Sequence, residues 1–174
     1  MILKELTELN GVSGSEYNVM EFIKGHVEKY ADSVTIDSMG NLIAFKKGIT
    51  GKYKVMLSAH MDEVGLMVTG YQDGMLKFKN VGGIDERILL GKRVLIGDKR
   101  IPGFIAAKPV HLQEKEERSV NIKLKSMYID IGADKREEAE ELAPLGEYVA
   151  FYSEYTELGN DTIKAKALDD RVGC

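Results

Sequence analysis

Between about Gly65 and Thr162 the chain is a succession of short segments rich in β-branched and aromatic residues. Closely spaced turn signals (QDG, GG, GDK and GN) separate the segments GLMVTGYQ, MLKFKNV, RVLIG, IPGFIAAK, SMYIDIG and EYVAFYSEY. Segments of this length and spacing predict a small barrel or sandwich. One helical pattern, DKREEAEELAPLG, interrupts them, and the charged run 113–119 is predicted to be a solvated loop.

The sequence before this region has a different pattern, which is typical of an α/β fold. Apolar residues at spacings of three and four predict a helix over 15–30, and Ser13 with Glu16 matches a capping box ahead of it. Two alternating runs, 33–37 and 42–46, predict a hairpin around Met39-Gly40-Asn41.

Composition restricts the classes of function. A net charge of −4 with scattered basic residues argues against a nucleic-acid or anionic-membrane partner. No apolar run approaches the roughly 20 residues that span a bilayer, and MILKELTELNG is read as an amphipathic helix and not as a signal peptide. The single cysteine, Cys174, excludes an internal disulfide. We therefore expect a cytoplasmic protein.

The stretch KVMLSAHMDEVGLMV contains the first candidate functional residues. Consecutive Val55, Met56 and Leu57 predict a strand buried on both faces, so that His60 lies at its end, where open α/β sheets place ligand sites. Asp62, two positions on, can accept a hydrogen bond from one ring nitrogen and leave the other free for a metal. Glu63 is expected on the opposite face.

The segment TIKAKALDDRVGC predicts a second strand that ends on Asp169 and Asp170, followed by the start of a helix. Asp169 has two possible roles. It suits a helix N-cap, or a carboxylate that bridges two divalent cations. Two strand ends, one with His-x-Asp and one with Asp-Asp, favour a dinuclear metal site.

With these motifs the chain resembles the tetrahedral, co-catalytic metallo-aminopeptidases, which include glutamyl and deblocking aminopeptidases and some members labelled endoglucanase. The matching segments, in the family's order, are LNGVSGSE, DSMGNLIA, MLSAHMDEVGLMV, VGGID and KALDDRVGC. The resemblance implies an α/β catalytic domain of the phosphorylase/hydrolase-like type, formed by residues 1–66 and 163–174, interrupted by a β-barrel-like dimerisation domain at 67–162.

The resemblance also implies an activity and its residues. A metal-dependent enzyme would remove N-terminal residues from short peptides, with two divalent ions, zinc or cobalt. His60 would bind one ion, Asp169 would bridge both, and Asp62 would be the catalytic aspartate that orients His60. Asp170 would form a cis peptide bond with Asp169. The 67–162 insert would build dimers, and the dimers a dodecamer.

The family pattern continues past Asp170 through a Glu-Glu segment, another Asp and a late His, which the 174 residues do not contain. The general base is therefore unknown and expected beyond residue 174, and we expect this chain to be inactive with metal sites weak or empty. Other hypotheses are a related dinuclear deacylase or carboxypeptidase, a non-catalytic oligomerisation module and, least favoured, an endoglucanase.

Overall fold

A computed structural model of the chain describes residues 2–115 and 119–174, so residues 116–118 of the charged run lie outside the described residues. The chain divides into two compact units. The first unit comprises Met1–Glu63 and Tyr155–Cys174, and the second comprises Val64–Glu154. In the described residues no helix is long and apolar enough to cross a bilayer.

The second unit is a closed barrel of six antiparallel strands: β3 (Gly65–Gln72), β4 (Met75–Val81), β5 (Arg93–Ile96), β6 (Ile101–Ala107), β7 (Met127–Asp130) and β8 (Tyr148–Phe151). Their order around the barrel is β3-β4-β7-β6-β5-β8. Each strand lies within one of the six β-type segments of the sequence. The prediction of a small barrel or sandwich is therefore confirmed, and the structure is a barrel.

Alternate side chains of these strands fill the barrel. The fully buried members include Leu66, Val68, Leu76, Val94, Ile96, Ile105, Ile129 and Val149. The predicted helix forms as α3 (Arg136–Leu142), and its residue Ala139 joins this core. The turn between β3 and β4 requires glycine, since a Cβ on Gly74 would lie 1.7 Å from the carbonyl oxygen of Ala133.

The first unit begins with two helices, α1 (Ile2–Glu8) and α2 (Tyr17–Val27). Helix α2 is shorter than predicted, and the predicted capping box is wrong. The residue before the helix is Glu16, which makes no side-chain cap bond, and the hydroxyl of Ser13 donates to Asp62 instead. As a cap, the Ser13 hydroxyl would accept from a neutral backbone N–H, whereas here it donates to an ionised carboxylate, and such charge-assisted hydrogen bonds are the stronger kind.

Two hairpins complete the regular structure of the first unit. Strands β1 (Ser33–Ile36) and β2 (Leu42–Phe45) pair antiparallel, as predicted. Strands β9 (Thr156–Gly159) and β10 (Thr162–Lys164) form a second hairpin that the sequence analysis did not predict. It belongs to the first unit, although most of it falls in the range 67–162 that the resemblance assigned to the insert.

The prediction of a buried strand before His60 is wrong. Residues 53–60 form no strand, and Val55, Met56 and Leu57 are 85%, 88% and 91% exposed. A strand buried on both faces needs neighbouring strands and covering layers, and the residues that the structure describes supply neither for this segment. The second predicted strand also differs, because β10 ends at Lys164, five residues before Asp169.

Candidate metal site

The imidazole of His60 lies between two carboxylates. Its Nδ1 is 2.9 Å from Oδ1 of Asp62, and its Nε2 is 3.1 Å from Oδ1 of Asp169. The two aspartates come from chain segments 107 residues apart, 62 and 169, so the fold of the first unit brings them to one ring. Asp62 thereby fixes the orientation of the ring, and Nε2 is directed at Asp169.

The charges around His60 favour its protonated form. Burial by itself lowers the pKa of His60, but the hydrogen bond to Asp169 and the charge of Asp62 outweigh it, and the net effect raises the pKa. A divalent cation that binds the ring must replace this proton, because only the neutral imidazole is a ligand.

Asp62 is held through both of its oxygens. Oδ1 faces His60, and Oδ2 accepts a hydrogen bond from the hydroxyl of Ser13. The bond from Ser13 is the main reason that the pKa of Asp62 is lowered, since burial acts in the opposite direction and His60 adds to the lowering. Sequence reasoning missed Ser13, because no local pattern connects it with a partner 49 residues away.

Asp169 and Asp170 occupy an irregular turn, Leu168–Arg171. Both have non-helical dihedral angles, with φ −91° and ψ 107° at Asp169 and φ −121° and ψ 34° at Asp170, and the peptide bond between them is cis. The turn begins after Ala167 without a side-chain cap bond, so the alternative reading of Asp169 as an N-cap is wrong. The side chain of Asp169 is 96% exposed, whereas the carboxylate of Asp170 lies over Gly173.

The donor atoms of His60 and Asp169 suit a divalent metal. Two ligands in a tetrahedral zinc site, each about 2.0–2.2 Å from the ion, lie roughly 3.3 Å apart. The observed separation of Nε2 and Oδ1 is 3.1 Å. Imidazole nitrogen and carboxylate oxygen are ligand types of zinc and of cobalt. Over residues 2–115 and 119–174, however, no group of three or more His, Cys, Asp or Glu side chains is placed to hold an ion.

Three residues that lie near the candidate site residues in the sequence, Glu63, Lys166 and Arg171, form a buried ion cluster. The Oε1 atom of Glu63 is 2.5 Å from Nζ of Lys166 and 3.4 Å from Nη2 of Arg171. Glu63 is predicted on the opposite face from His60 and Asp62. Its carboxylate pairs with Lys166 and Arg171. The roles of Lys166 and Arg171 were not predicted, because neither lies in a recognisable ligand pattern.

Comparison with known proteins identifies similar chains. Residues 40–174 match the family described as M42 glutamyl aminopeptidase. A putative aminopeptidase of Acetivibrio thermocellus is 42% identical over 174 residues, which are 99% of this chain and 50% of that protein. This chain spans about half the length of the curated relatives it matches.

Two solved structures show the same fold over 99% of this chain. An endoglucanase of Thermotoga maritima superposes with a TM-score of 0.85 at 40% identity, and 51% of it is covered. A peptidase of Pyrococcus horikoshii, described as able to assemble into a tetrahedron or a large octahedral shell, superposes with a TM-score of 0.86 at 36% identity, and 52% of it is covered.

Proposed function

Because the chain belongs to the M42 glutamyl aminopeptidase family, we propose that it supplies part of the active site of a metal-dependent aminopeptidase that removes N-terminal residues from short peptides. The observation that carries this proposal is the placement of the His60 ring between Asp62 and Asp169, at 2.9 Å and 3.1 Å. One ring nitrogen is held by a carboxylate, and the other faces an exposed carboxylate that can share a cation with it.

Each residue has a separate task in this proposal. His60 and Asp169 would hold the metal ions, with Asp169 as the ligand shared between the two. Asp62 holds the His60 ring in one orientation, and Ser13 holds Asp62. Divalent ions such as zinc or cobalt, when bound, supply Lewis-acid activation of the scissile carbonyl and of the attacking water.

Two protein ligands are too few for a tight dinuclear site. We propose that the general base and the remaining ligands come from protein outside these 174 residues, in agreement with the half coverage of the relatives. The 174-residue chain alone is then expected to bind metal weakly and to lack peptidase activity. We assign neither Asp170 nor Glu63 as this base, and the carboxylate of Glu63 is bound in the ion cluster.

The barrel unit is proposed to mediate self-association into dimers and larger assemblies. The Pyrococcus horikoshii peptidase, which is described as able to assemble into a tetrahedron or a large octahedral shell, supports this part of the proposal. Exposed apolar side chains of the barrel unit are available for such contacts: Ile88, Leu90 and Phe104 are 59%, 47% and 48% exposed.

One solved neighbour is called an endoglucanase, so glycoside hydrolysis is the second candidate. Glycosidases place two carboxyl groups roughly 5 to 10 Å apart with the scissile bond between them. Here the space between Asp62 and Asp169 is taken by the imidazole of His60, which contacts both. The geometry therefore favours the peptidase.

The test is hydrolysis of a panel of aminoacyl chromogenic substrates with added zinc or cobalt. The 174-residue chain, the longest product that its gene encodes, and the His60→Ala variant of that product are assayed side by side. We expect activity only in the longer protein with His60 intact. The proposed function would be refuted if the His60→Ala variant were as active as the unsubstituted longer protein, or if the longer protein showed no activity with either metal. Activity of the 174-residue chain would refute only the missing-base proposal.

A further inference from the structure

The Glu63, Lys166 and Arg171 cluster is almost inaccessible to water. The side chains of Glu63, Lys166 and Arg171 are 6%, 8% and 0% exposed. Buried charges are costly unless they are paired and fully hydrogen-bonded. Replacing such a cluster by apolar residues is often neutral or stabilising, whereas removing one partner is strongly destabilising, so stability alone does not account for the cluster.

The hydrogen bonds of the cluster join separate chain segments. The guanidinium of Arg171 donates from Nε to the carbonyl oxygen of Met61 at 2.9 Å. From Nη1 it donates to the carbonyl oxygens of Leu6 at 3.0 Å and Leu9 at 2.7 Å. Nζ of Lys166 also donates to the carbonyl oxygen of Leu9, at 2.8 Å.

Glu63 connects the same segments from the other side. Its Oε1 accepts the backbone N–H of Gly11 at 3.1 Å, in addition to the two cations. Its own backbone forms a parallel bridge to Val12, with hydrogen bonds from Glu63 N to the Gly11 carbonyl at 2.9 Å and from Ser13 N to the Glu63 carbonyl at 3.2 Å. One residue thus fixes the Gly11–Ser13 stretch against residues 61–63.

The three joined segments are those that carry the candidate site. Ser13 follows Gly11 by two positions, Glu63 follows His60 by three, and Lys166 and Arg171 flank Asp169. We propose that Glu63, Lys166 and Arg171 are positioning residues that hold the His60 ring and the Asp169 carboxylate at ligand distance from each other. This inference rests on the proposed function, because the distance has a chemical meaning only if the pair binds metal.

The charges of the cluster determine which substitutions are informative. It contains one anion and two cations, so Glu63→Gln keeps an acceptor oxygen but leaves two cations buried without an anion. Lys166→Met leaves Glu63 and Arg171 as a neutral pair and is the milder change. Met20→Ala serves as the matched control, because Met20 is buried in the same unit at 7% exposure and its side chain carries no charge.

The experiment compares the 174-residue chain and these three variants by NMR, first without metal. The readout is the nuclear Overhauser effect between the His60 ring protons and the β protons of Asp169, which a general loss of stability does not change in molecules that remain folded. We expect this effect to be lost in Glu63→Gln, weakened in Lys166→Met and retained in Met20→Ala. If Glu63→Gln fails to fold, the effect between His60 and Asp169 in Lys166→Met provides the test.

Zinc is then titrated into each protein and followed through the His60 ring signals. If the cluster positions the two ligands, the zinc affinity of Glu63→Gln should be about 10- to 100-fold lower, as when other groups that orient metal ligands are removed. The zinc affinity of Met20→Ala should be unchanged. Retention of the His60–Asp169 effect in both cluster variants would overturn the inference. If neither the unsubstituted chain nor the longer gene product binds zinc, the proposed function is refuted. The nuclear Overhauser measurements without metal still test whether the cluster positions His60 and Asp169.

Discussion

At the scale of single residues, the candidate site depends on a short series of contacts, from Ser13 to Asp62, from Asp62 to His60 and from His60 to Asp169. Each contact fixes the next side chain. The series explains how a ring that is 54% exposed can keep one orientation.

The first prediction concerns Asp62. In Asp62→Asn the charge that orients His60 is lost while the side-chain shape is kept, and we expect zinc affinity to fall about 10- to 100-fold. Isothermal titration of the longest gene product measures the change. Asp161→Asn is the control, since Asp161 is an exposed turn residue with φ 55°, a conformation that asparagine accepts. Equal affinities of the two variants would show that Asp62 does not orient the ligand.

The second prediction concerns acid titration in the barrel unit. The pKa of Asp85 is lowered from the usual 3.8 to about 2, chiefly by the hydrogen bond from the side chain of Arg87 and next by the hydrogen bond from the backbone N–H of Arg87. Because the folded pKa is depressed, the stabilisation from Asp85 is complete above pH 3.8 and is lost as the pH falls through about 2. In Arg87→Met the carboxyl is expected to titrate at a higher pH, though still below 3.8, because the backbone donor remains.

The carbon-13 signal of the Asp85 carboxyl, followed over this pH range, measures the titration directly. Asp37 provides an internal comparison, since its pKa is lowered chiefly by hydrogen bonds from Asn41 and Arg87 is not among the causes. An Asp85 midpoint that does not move in the variant would contradict the contact with Arg87.

The sequence predicted the candidate residues that lie in compact patterns and missed those that do not. His60 and Asp62 stand two apart, and Asp169 follows an apolar segment, so each could be singled out. Ser13, Lys166 and Arg171 act through partners 49, 103 and 108 residues away. Contacts of that range depend on the tertiary fold, which no local pattern contains.

At the scale of elements, the strands of the barrel were correctly predicted, whereas the strand predicted before His60 is not formed. In the barrel strands apolar and polar residues alternate, and turn residues bound each strand, so the local sequence shows both the type of element and where it ends. A continuous apolar run such as Val55-Met56-Leu57 shows only that burial would be favourable, and whether it is buried depends on neighbours that the described residues lack.

The third prediction follows from the exposure of that run. Leu57 is 91% exposed and Leu6 is 4% exposed in the same unit. In the 174-residue chain, Leu57→Ala should change the free energy of unfolding by less than about 0.5 kcal/mol. Leu6→Ala should lower it by about 2–5 kcal/mol. Urea unfolding followed by circular dichroism distinguishes them, and a comparable loss in Leu57→Ala would show that the segment is packed.

The fourth prediction concerns the turn between β3 and β4. Gly74→Ala places a Cβ against the carbonyl of Ala133, a backbone group that cannot rotate away, and should destabilise the barrel unit by about 1–3 kcal/mol or more. Gly83→Ala, in the same unit, is the control, because a Cβ there meets no heavy atom within 4 Å. If the thermal unfolding curves of the two variants coincide, the close approach at Gly74 is contradicted.

At the scale of the whole molecule, the chain combines a closed barrel with a first unit that carries the candidate metal site. The barrel has all six strands closed on one another and its own buried core. The first unit leaves Val55, Met56 and Leu57 exposed and brings together two donors for an ion. This contrast agrees with a chain that spans about half the length of its relatives, and it makes metal binding by His60 and Asp169 the central claim.

The most direct test uses the three histidines of the chain, His26, His60 and His111, as internal references for one another. Zinc is titrated into the nitrogen-15-labelled 174-residue chain while the ring nitrogens of all three are observed, and the titration is repeated with Asp169→Asn and with Asp161→Asn. We predict that His60 responds at the lowest zinc concentration, that Asp169→Asn removes this preference and that Asp161→Asn keeps it. If His60 responds no earlier than His26 and His111, or responds equally without the Asp169 carboxylate, the two residues do not form a metal site.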